Sequence, residues 1–261
     1  QITVRALREI DWRGKDRLVR VSLINGEGGR VDIAGGTPAR PNALLLPKVE
    51  TADDVLLASR MMAEAEVRAG IAIGTVKLWA MIETAKALIH VEDIARADPR
   101  MDGLIFGGGD LSVDLQVKRI GLGKFRRTSD FPHELLYGRG RVVLAARASG
   151  IDCFDIGTIN FADHDRLRRW AEYSAQMGFT GVLVFSPRQV ETINQVFSPP
   201  DEDVTWAMDV VSKVDDAGRN GAKTVVIIDD EMVEGPIVRN ARDILARRDK
   251  IAAVLEERKT S

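Results

Sequence analysis

The sequence predicts an α/β fold in which parallel β-strands alternate with helices, as they do in a (β/α) barrel. Short apolar runs that favour strands recur along the chain, and stretches with helical periodicity follow several of them. Polar residues stand where most of these apolar runs end. Because the C-terminal ends of barrel strands converge on one mouth, this arrangement predicts a single functional site there.

Six runs are predicted as strands because they are short, apolar and rich in β-branched residues. Their bounds are Leu18–Leu23, Ala43–Val49, Leu78–Ile82, Gly103–Phe106, Asp152–Ile156 and Gly181–Phe185. Helical periodicity predicts four helices, with the bounds Ala52–Ala69, Thr84–Ala97, Pro132–Ser149 and Asp163–Met177. The glycine-rich stretch Asn25–Asn42 and the basic stretch Val117–Ser129 are predicted as loops.

Composition excludes several classes of partner. The chain has 261 residues, 45% of them hydrophobic, which is enough to fill the core of a large α/β domain. Its 37 basic and 39 acidic residues leave a net charge of −2, so we expect no nucleic-acid or membrane partner. No run approaches the roughly 18 apolar residues of a membrane span. Cys153 is the single cysteine, which excludes an internal disulfide and favours a cytoplasmic location.

The two ends of the chain differ from the predicted barrel. Six strands are fewer than the eight of a closed barrel, and Arg5–Trp12 is typical of the end of a helix, so we expect the natural protein to begin upstream of Gln1. Pro199 and Pro200 are followed by a helix, a short strand and a charged helix. The predicted domains are therefore a catalytic barrel over 1–200 and an extension over 201–261 that acts as a lid.

Two carboxylates stand at strand ends, where they could hold a metal ion. Glu83 ends one apolar run and Asp110 follows the next, so both are expected at the same mouth. Mg²⁺ prefers oxygen ligands and commonly takes one or two protein carboxylates. The structural alternative is that each acid caps a helix or pairs with a lysine.

A glycine triplet, Gly107–Gly109, precedes Asp110 and would let the backbone approach a ligand closely. The alternative is an ordinary strand-to-helix turn. Neither the spacing of the glycines nor the residues downstream match a dinucleotide-binding fingerprint.

Arg20 lies inside the first apolar run, where burial of a guanidinium would be costly unless it met an anion. This favours a functional arginine, and the alternative is that Arg20 points outward to solvent. The histidines, in contrast, are scattered through predicted helices and loops, which predicts surface or packing roles for them.

Seven motifs, in this order and spacing, resemble the citrate lyase beta-subunit-like branch of the HpcH/HpaI aldolase family, which includes malyl-CoA and citramalyl-CoA lyases. They are Val19–Val21, Leu46–Glu50, Ile82–Ala85, Phe106–Leu111, Arg141–Ala146, Ser186–Gln189 and Val196–Pro199. The resemblance spans nearly the whole chain. It implies a (β/α)8 TIM barrel that lacks its first strands here, in a homotrimer or homohexamer whose C-terminal extensions cover neighbouring active sites.

The resemblance also implies a magnesium site with Glu83 and Asp110 as ligands, where Mn²⁺ can replace Mg²⁺. Arg20 would polarise the substrate, and Glu234 on the extension would be the catalytic acid. The implied reaction is the reversible cleavage of a 3-hydroxyacyl-CoA thioester to an acyl-CoA and a small α-keto acid. The substrate-binding residues would be Arg20, Lys48, Glu50, Gly108 and Gly109.

Three residues depart from the family pattern. Ser22 replaces an asparagine, Ser186 replaces a histidine, and Glu234 replaces an aspartate, which moves the carboxyl group by one methylene. Three alternatives therefore stay open: a malyl-CoA-type thioesterase, a non-catalytic protein that binds CoA or a metabolite, and an aldolase for free hydroxy-keto acids.

Overall fold

A computed structural model describes residues 2–117, 119–120, 124–125, 132–158, 160, 162–219, 226–228 and 231–260. The chain divides into two compact units, Gln1–Ile193 and Asn194–Ser261. The sequence-based boundary after residue 200 lies close to this division.

The described residues of the first unit form eight strands, of which six correspond to the predicted runs. These strands are β1 (Leu18–Arg20), β2 (Ala43–Leu46), β3 (Lys77–Ile82), β4 (Met101–Phe106), β5 (Arg119–Ile120), β6 (Lys124–Phe125), β7 (Asp152–Ile156) and β8 (Gly181–Leu183). β5 and β6 form a small antiparallel ribbon, and the other six strands form one parallel sheet in the order β1-β2-β3-β4-β7-β8. The α/β prediction is confirmed, and each of the six predicted runs contributes one strand.

The sheet differs from the prediction in closure and in the length of its first strand. Within the described residues it has six strands, and β1 and β8 are not paired with each other, so an eight-stranded TIM barrel is not observed. β1 ends at Arg20. Arg20 was predicted inside its run, but it is the last residue of its strand and so follows the same rule as the other polar residues.

Helices cover the sheet and connect its strands. Those of the first unit and its boundary are α1 (Ile2–Glu9), α2 (Glu27–Gly36), α3 (Ala52–Arg68), α4 (Ala85–Ile89), α5 (Val91–Ala95), α6 (Gly108–Asp114), α7 (Leu136–Ser149), α8 (His164–Met177) and α9 (Val190–Phe197). The predicted helix Thr84–Ala97 is divided into α4 and α5 at His90, whose backbone (φ −105°, ψ 13°) is not helical.

The predicted loop Asn25–Asn42 is wrong, because it contains α2. Glycine disfavours helices, but tertiary packing overrides that preference here. A Cβ on Gly29 would lie 2.3 Å from the Leu23 carbonyl oxygen, so glycine allows α2 to pack against the preceding loop. The other predicted loop, Val117–Ser129, lies largely outside the described residues; the ribbon β5–β6 falls within it.

Apolar side chains cover both faces of the sheet, as is typical of parallel sheets. One face packs against the helices through a large cluster that includes Leu44, Leu78 and Leu104. The other face carries the cluster Ala43, Leu45, Trp79, Met81 and Ile105, with Phe154 and Leu183 packed against it. A Cβ on Gly103 would lie 2.5 Å from the Trp79 ring, so this glycine makes room for the indole.

The second unit contains α10 (Asp201–Arg219), β9 (Val226–Ile228), β10 (Glu231–Val233) and α11 (Gly235–Thr260). Helices α10 and α11 and strand β10 share a small core of Ala207, Val210, Val233, Val238 and Ala241. β9 and β10 form an antiparallel hairpin, of which the sequence predicted only the first strand. None of the described helices combines the length and the hydropathy that a membrane crossing requires.

Candidate functional site

Polar residues follow four neighbouring strands at the same edge of the sheet. Arg20 ends β1, Lys48 follows β2, Glu83 follows β3 and Asp110 follows β4. Because these strands are parallel and adjacent, the four side chains belong to one mouth. The structure therefore brings together residues that are up to 90 positions apart in the sequence.

Glu83 is the buried centre of this site, with only 2% of its surface exposed. Its Oε1 accepts a hydrogen bond of 2.8 Å from the backbone N–H of Lys48. Burial raises the pKa of the Glu83 carboxyl, and the negative charge of Asp110 adds to the rise. The Lys48 N–H and the charges of Arg20 and Lys48 lower this pKa, although burial prevails. Three charged side chains therefore act on one buried carboxyl group.

Lys48 contacts both candidate metal ligands. Its backbone N–H holds Glu83, and its Nζ lies 3.4 Å from Asp110 Oδ1. Lys48 has a φ of +49°, the left-handed conformation that residues other than glycine adopt at a cost. Sequence reasoning placed Lys48 at the site, but it did not foresee this backbone.

The glycine triplet has two packing functions. A Cβ on Gly107 would lie 2.3 Å from the Glu83 Cβ, so this glycine lets the β4–α6 turn approach Glu83. A Cβ on Gly108 would meet Leu135 and Phe106 at 3.0 Å, so a larger residue would crowd these two core side chains. Gly109 has open space around its Cβ position. Substrate contacts of Gly108 and Gly109 stay a prediction.

Arg20 is exposed, which corrects the argument that its side chain is buried. The apolar neighbours that predicted burial continue beyond the strand, whereas the strand itself ends at Arg20. Its positive charge nevertheless acts on Glu83. The position of Arg20 at the mouth thus rests on its strand end and on this electrostatic interaction.

Glu50 lies at the edge of the site and pairs with a lysine that the sequence analysis missed. Lys86 Nζ lies 3.1 Å from Glu50 Oε2. The backbone N–H groups of Glu50 and Thr51 donate to Asp54 Oδ2, which caps the start of α3. The only sequence signal for Lys86 was its position three residues after Glu83, on the next helix.

Gln189 connects the ends of β7 and β8. It is fully buried, and its Oε1 accepts hydrogen bonds of 2.9 Å from Phe185 N and 3.2 Å from Ser186 N. Its Nε2 donates to the Thr158 carbonyl oxygen over 3.0 Å. The motif Ser186–Gln189 therefore fixes the loops after two strands, a structural function that sequence reasoning did not predict.

Glu234 lies in the second unit, directly after β10. It is exposed, and its carbonyl oxygen accepts the first helical hydrogen bond of α11, from Val238 N. Its predicted function as a catalytic acid stays a prediction.

The two carboxylates fit the ligand preferences of magnesium. Among the described residues, no group of three or more His, Cys, Asp or Glu side chains is arranged to hold a metal ion. Protein ligation would therefore come from Glu83 and Asp110, and Mg²⁺ commonly uses one or two carboxylates with water and substrate as further ligands. The close approach that Gly107 permits brings together the turns that carry Glu83 and Asp110.

Comparison with known proteins identifies relatives along nearly the whole chain. The chain is 33% identical over 253 residues to a (3S)-malyl-CoA thioesterase of Cereibacter sphaeroides, covering 95% of this chain and 80% of the relative. It is 30% identical over 240 residues to the citrate lyase subunit beta of Leuconostoc mesenteroides, covering 92% and 76%.

Solved structures share the fold. A citrate lyase from Burkholderia xenovorans matches with a TM-score of 0.77 and 19% identity, covering 93% of this chain and 74% of that chain. The protein CitE of Mycobacterium tuberculosis, in complex with magnesium, acetoacetate and coenzyme A, matches with a TM-score of 0.68 and 23% identity, covering 89% and 78%.

The family model described as HpcH/HpaI aldolase/citrate lyase matches residues 3–187, which include all four polar residues of the mouth. The resemblance inferred from the motifs is thereby confirmed: the chain belongs to the HpcH/HpaI aldolase/citrate lyase family.

Proposed function

We propose that this protein is a Mg²⁺-dependent carbon–carbon lyase that cleaves or forms a 3-hydroxyacyl-CoA thioester. The products of cleavage would be an acyl-CoA and an α-keto acid. The observation that carries this proposal is the mouth itself, where Glu83 and Asp110 lie beside the cations of Arg20 and Lys48 in a chain of this family.

Relatives support the ligands that this reaction needs. The M. tuberculosis CitE structure contains magnesium, acetoacetate and coenzyme A, and another M. tuberculosis citrate lyase beta structure contains oxaloacetate and magnesium. These ligands are a metal, keto acids and a CoA carrier. We extend them to this chain as a proposal.

The proposed functions of the residues follow from charge. Glu83 and Asp110 would hold Mg²⁺ or Mn²⁺, which when bound would supply Lewis acidity and orient the keto acid. Arg20 would stabilise negative charge on the thioester oxygen as the enolate forms.

Binding and proton transfer would involve the remaining predicted residues. Lys48 and Glu50 would set the electrostatics beside the substrate, and Gly108 and Gly109 would let it approach the backbone. Glu234 would deliver a proton to the enolate carbon. This acid would come from the extension of a neighbouring copy in a homotrimer or homohexamer, and the parallel sheet would belong to a (β/α)8 TIM barrel.

Thioester hydrolysis is the second candidate, and a specific observation favours it. Malyl-CoA thioesterases of C. sphaeroides are 32–33% identical to this chain, slightly more than the citrate lyase subunits at 29–30%. In a thioesterase, water attacks the thioester carbonyl carbon and the thiol of CoA leaves. The two reactions thus differ in the bond that is broken.

Product identity separates the candidates. Purified protein would be incubated with malyl-CoA, citramalyl-CoA and related thioesters, with Mg²⁺ and with chelator, and the products quantified by chromatography and mass spectrometry. A lyase releases acyl-CoA and keto acid in equal amounts, whereas a thioesterase releases free CoA and the hydroxy acid. Binding without turnover of any thioester would contradict both proposals and favour a non-catalytic protein.

A further inference from the structure

Lys48 touches both candidate metal ligands, one with its backbone and the other with its side chain. The backbone N–H donates to Glu83 Oε1 over 2.8 Å, and Nζ lies 3.4 Å from Asp110 Oδ1. The ammonium group thus contacts a carboxylate that the proposed metal would bind. A lysine and a divalent cation have the same preference for such an oxygen, so the two would compete for it.

The backbone holds Lys48 in this position. Its φ of +49° is unfavourable for a residue that has a Cβ. Such backbone conformations persist where contacts with the surrounding structure stabilise them. The hydrogen bond from Lys48 N to the buried Glu83 is one such contact. The start of the lysine side chain is therefore fixed beside the carboxylates, while its end is half-exposed and can move away.

Charge at the mouth is balanced without a metal. Glu83 and Asp110 carry two negative charges when ionised, and Arg20 and Lys48 supply two positive charges that act on Glu83. Addition of a divalent cation would leave an excess of positive charge. Lys48 forms an ion pair with Asp110, so its ammonium would lose a partner on metal binding.

We propose that Lys48 is a built-in competitor for the metal, which neutralises Asp110 in the metal-free protein and lowers metal affinity. This inference rests on the proposed metal site at Glu83 and Asp110. Its consequence is that loss of the positive charge at position 48 tightens metal binding, whereas loss of an ordinary active-site contact would weaken it.

The test is a titration of the purified full chain with Mn²⁺, followed by the electron paramagnetic resonance of the free ion. Lys48→Met removes the charge and keeps the length of the side chain and the strained backbone. Coulomb interaction between a monovalent and a divalent cation a few ångströms apart predicts an affinity increase of about fivefold or more. Lys48→Gln is a second neutral variant, for use if the first does not fold.

Two control variants test whether the effect depends on the charge of Lys48 and on the position of that charge. Lys77 is the first residue of β3, at the opposite end of the strand that leads to Glu83, and is exposed. Lys77→Met removes the same charge at about 16 Å or more, beyond the Debye length at physiological salt, and should change Mn²⁺ affinity by less than about twofold. Lys48→Arg keeps the charge and should bind Mn²⁺ no more tightly than wild type.

A second readout does not depend on turnover. Metal that binds only the folded chain raises the thermal midpoint, and the rise grows as the dissociation constant falls. Saturating Mg²⁺ should therefore raise the midpoint of Lys48→Met more than that of wild type. A weaker or unchanged metal affinity in both neutral variants would overturn the competitor role. An increase in Mn²⁺ affinity in Lys48→Arg as large as that in the neutral variants would also overturn it.

The failure of this inference is distinguishable from the failure of the proposed function. If Glu83→Gln and Asp110→Asn weaken Mn²⁺ binding but the neutral Lys48 variants do not tighten it, the metal site stands and the competitor role is wrong. If wild type binds no Mn²⁺, or if its binding is insensitive to both carboxylate variants, the proposed metal site is wrong and the inference fails with it.

Discussion

Glu83 and Asp110 occupy different environments although they would serve one ion. Glu83 is buried and fixed by a backbone hydrogen bond, whereas the Asp110 side chain is 57% exposed and contacts the half-exposed side chain of Lys48. Burial raises the pKa of Glu83 because it disfavours the charged carboxylate. A nearby cation therefore stabilises the ionised form of Glu83 more than it would stabilise an exposed carboxylate. If both bind the proposed metal, Glu83 would be the fixed ligand and Asp110 the adaptable one.

Neutral isosteres of the two carboxylates test the metal assignment. We expect Glu83→Gln and Asp110→Asn each to lower Mg²⁺-dependent turnover by about 100-fold or more, because each removes a formal charge from a hard-cation site. Folding should be preserved, since the glutamine oxygen can still accept the Lys48 N–H. Steady-state assays at saturating Mg²⁺, with urea unfolding in parallel, measure both effects. Full activity in either folded variant would contradict the assignment.

Substitution of Arg20 tests the proposed oxyanion contact. Arg20→Lys should lower kcat by at least about tenfold, because a lysine ammonium cannot reproduce the planar donor fork of a guanidinium. Arg30, an exposed arginine of α2, provides a matched control, and Arg30→Lys should leave kcat unchanged. Wild-type kinetics in Arg20→Lys would mean that Arg20 has a purely structural role.

The strand-end positions of Glu83 and Asp110 were predictable because strand ends are visible in the pattern of apolar runs. Glu83 and Asp110 follow such runs directly, and parallel topology then brings them to one edge. The left-handed backbone of Lys48 and the Lys86–Glu50 pair were not predictable in this way. Both depend on distances between residues of different elements, which periodicity does not contain.

At the scale of elements, the turn between β4 and α6 packs closely against Glu83. Gly107 and Gly109 differ in their surroundings, which makes them a matched pair for substitution. Gly107→Ala places a methyl group 2.3 Å from the Glu83 Cβ, so the turn or Glu83 must move. Gly109→Ala meets open space inside a helix.

We expect Gly107→Ala to lower the free energy of unfolding by about 1–3 kcal/mol, the usual cost of overpacking. It should also weaken Mn²⁺ binding, because Glu83 is displaced. Gly109→Ala should keep or slightly raise stability, since alanine favours helices over glycine. Urea denaturation of both variants measures the free energy of unfolding, and Mn²⁺ titration measures the metal affinity. Equal stability of the two variants would mean that the turn relaxes freely.

Strands were easier to predict than helices for a physical reason. Both faces of this parallel sheet are buried, so its strands appear as continuous apolar runs. Helix α2 escaped prediction because its four glycines suggest a loop, and the packing at Gly29 that stabilises it involves the preceding segment. The distinction between an open six-stranded sheet and a closed barrel rests on strand pairing, which no local pattern reveals.

The junction of β10 and α11 carries the predicted proton donor. Glu234→Gln should lower turnover by about 100-fold or more while affinity for the CoA thioester changes by less than about threefold, because the proton is needed for chemistry and not for binding. Glu234→Asp, which restores the family residue, should raise cleavage. Steady-state kinetics and calorimetric titration of both variants measure turnover and thioester affinity separately. Full cleavage by Glu234→Gln would assign the proton transfer to another group.

At the scale of the whole molecule, a buried ion pair lies at the opposite ends of the strands. Arg100, just before β4, donates to both carboxylate oxygens of Glu66 over 3.0 and 2.6 Å. The N–H groups of Gly74 and Val76 complete the shell of Glu66, and Arg100 Nε donates to Ser59. This network connects α3 to the segments that lead into β3 and β4.

The network predicts how stability responds to acid. Burial raises the pKa of Glu66, but the hydrogen bonds from Arg100, Val76 and Gly74 outweigh it and hold the pKa below its ordinary value of 4.5. A depressed folded pKa means that the ionised carboxylate favours folding. Its contribution is therefore full above about pH 4.5 and is lost as the pH falls through the folded pKa.

Glu66→Gln should lower the free energy of unfolding at pH 7 by about 3–5 kcal/mol, since it leaves the Arg100 charge buried without its partner. As the pH falls below about 4.5, wild type loses the same contribution, so the difference between the two proteins should shrink. Urea unfolding from pH 7 to pH 3 measures this convergence.

Glu64→Gln, which breaks an exposed pair with Arg68 on the same helix, is the matched control and should follow wild type throughout. The double variant Glu66→Gln/Arg100→Met removes the unpaired charge and should recover part of the loss at pH 7. A pH-independent difference between Glu66→Gln and wild type would show that Glu66 stabilises the fold through packing and neutral hydrogen bonds instead of its charge.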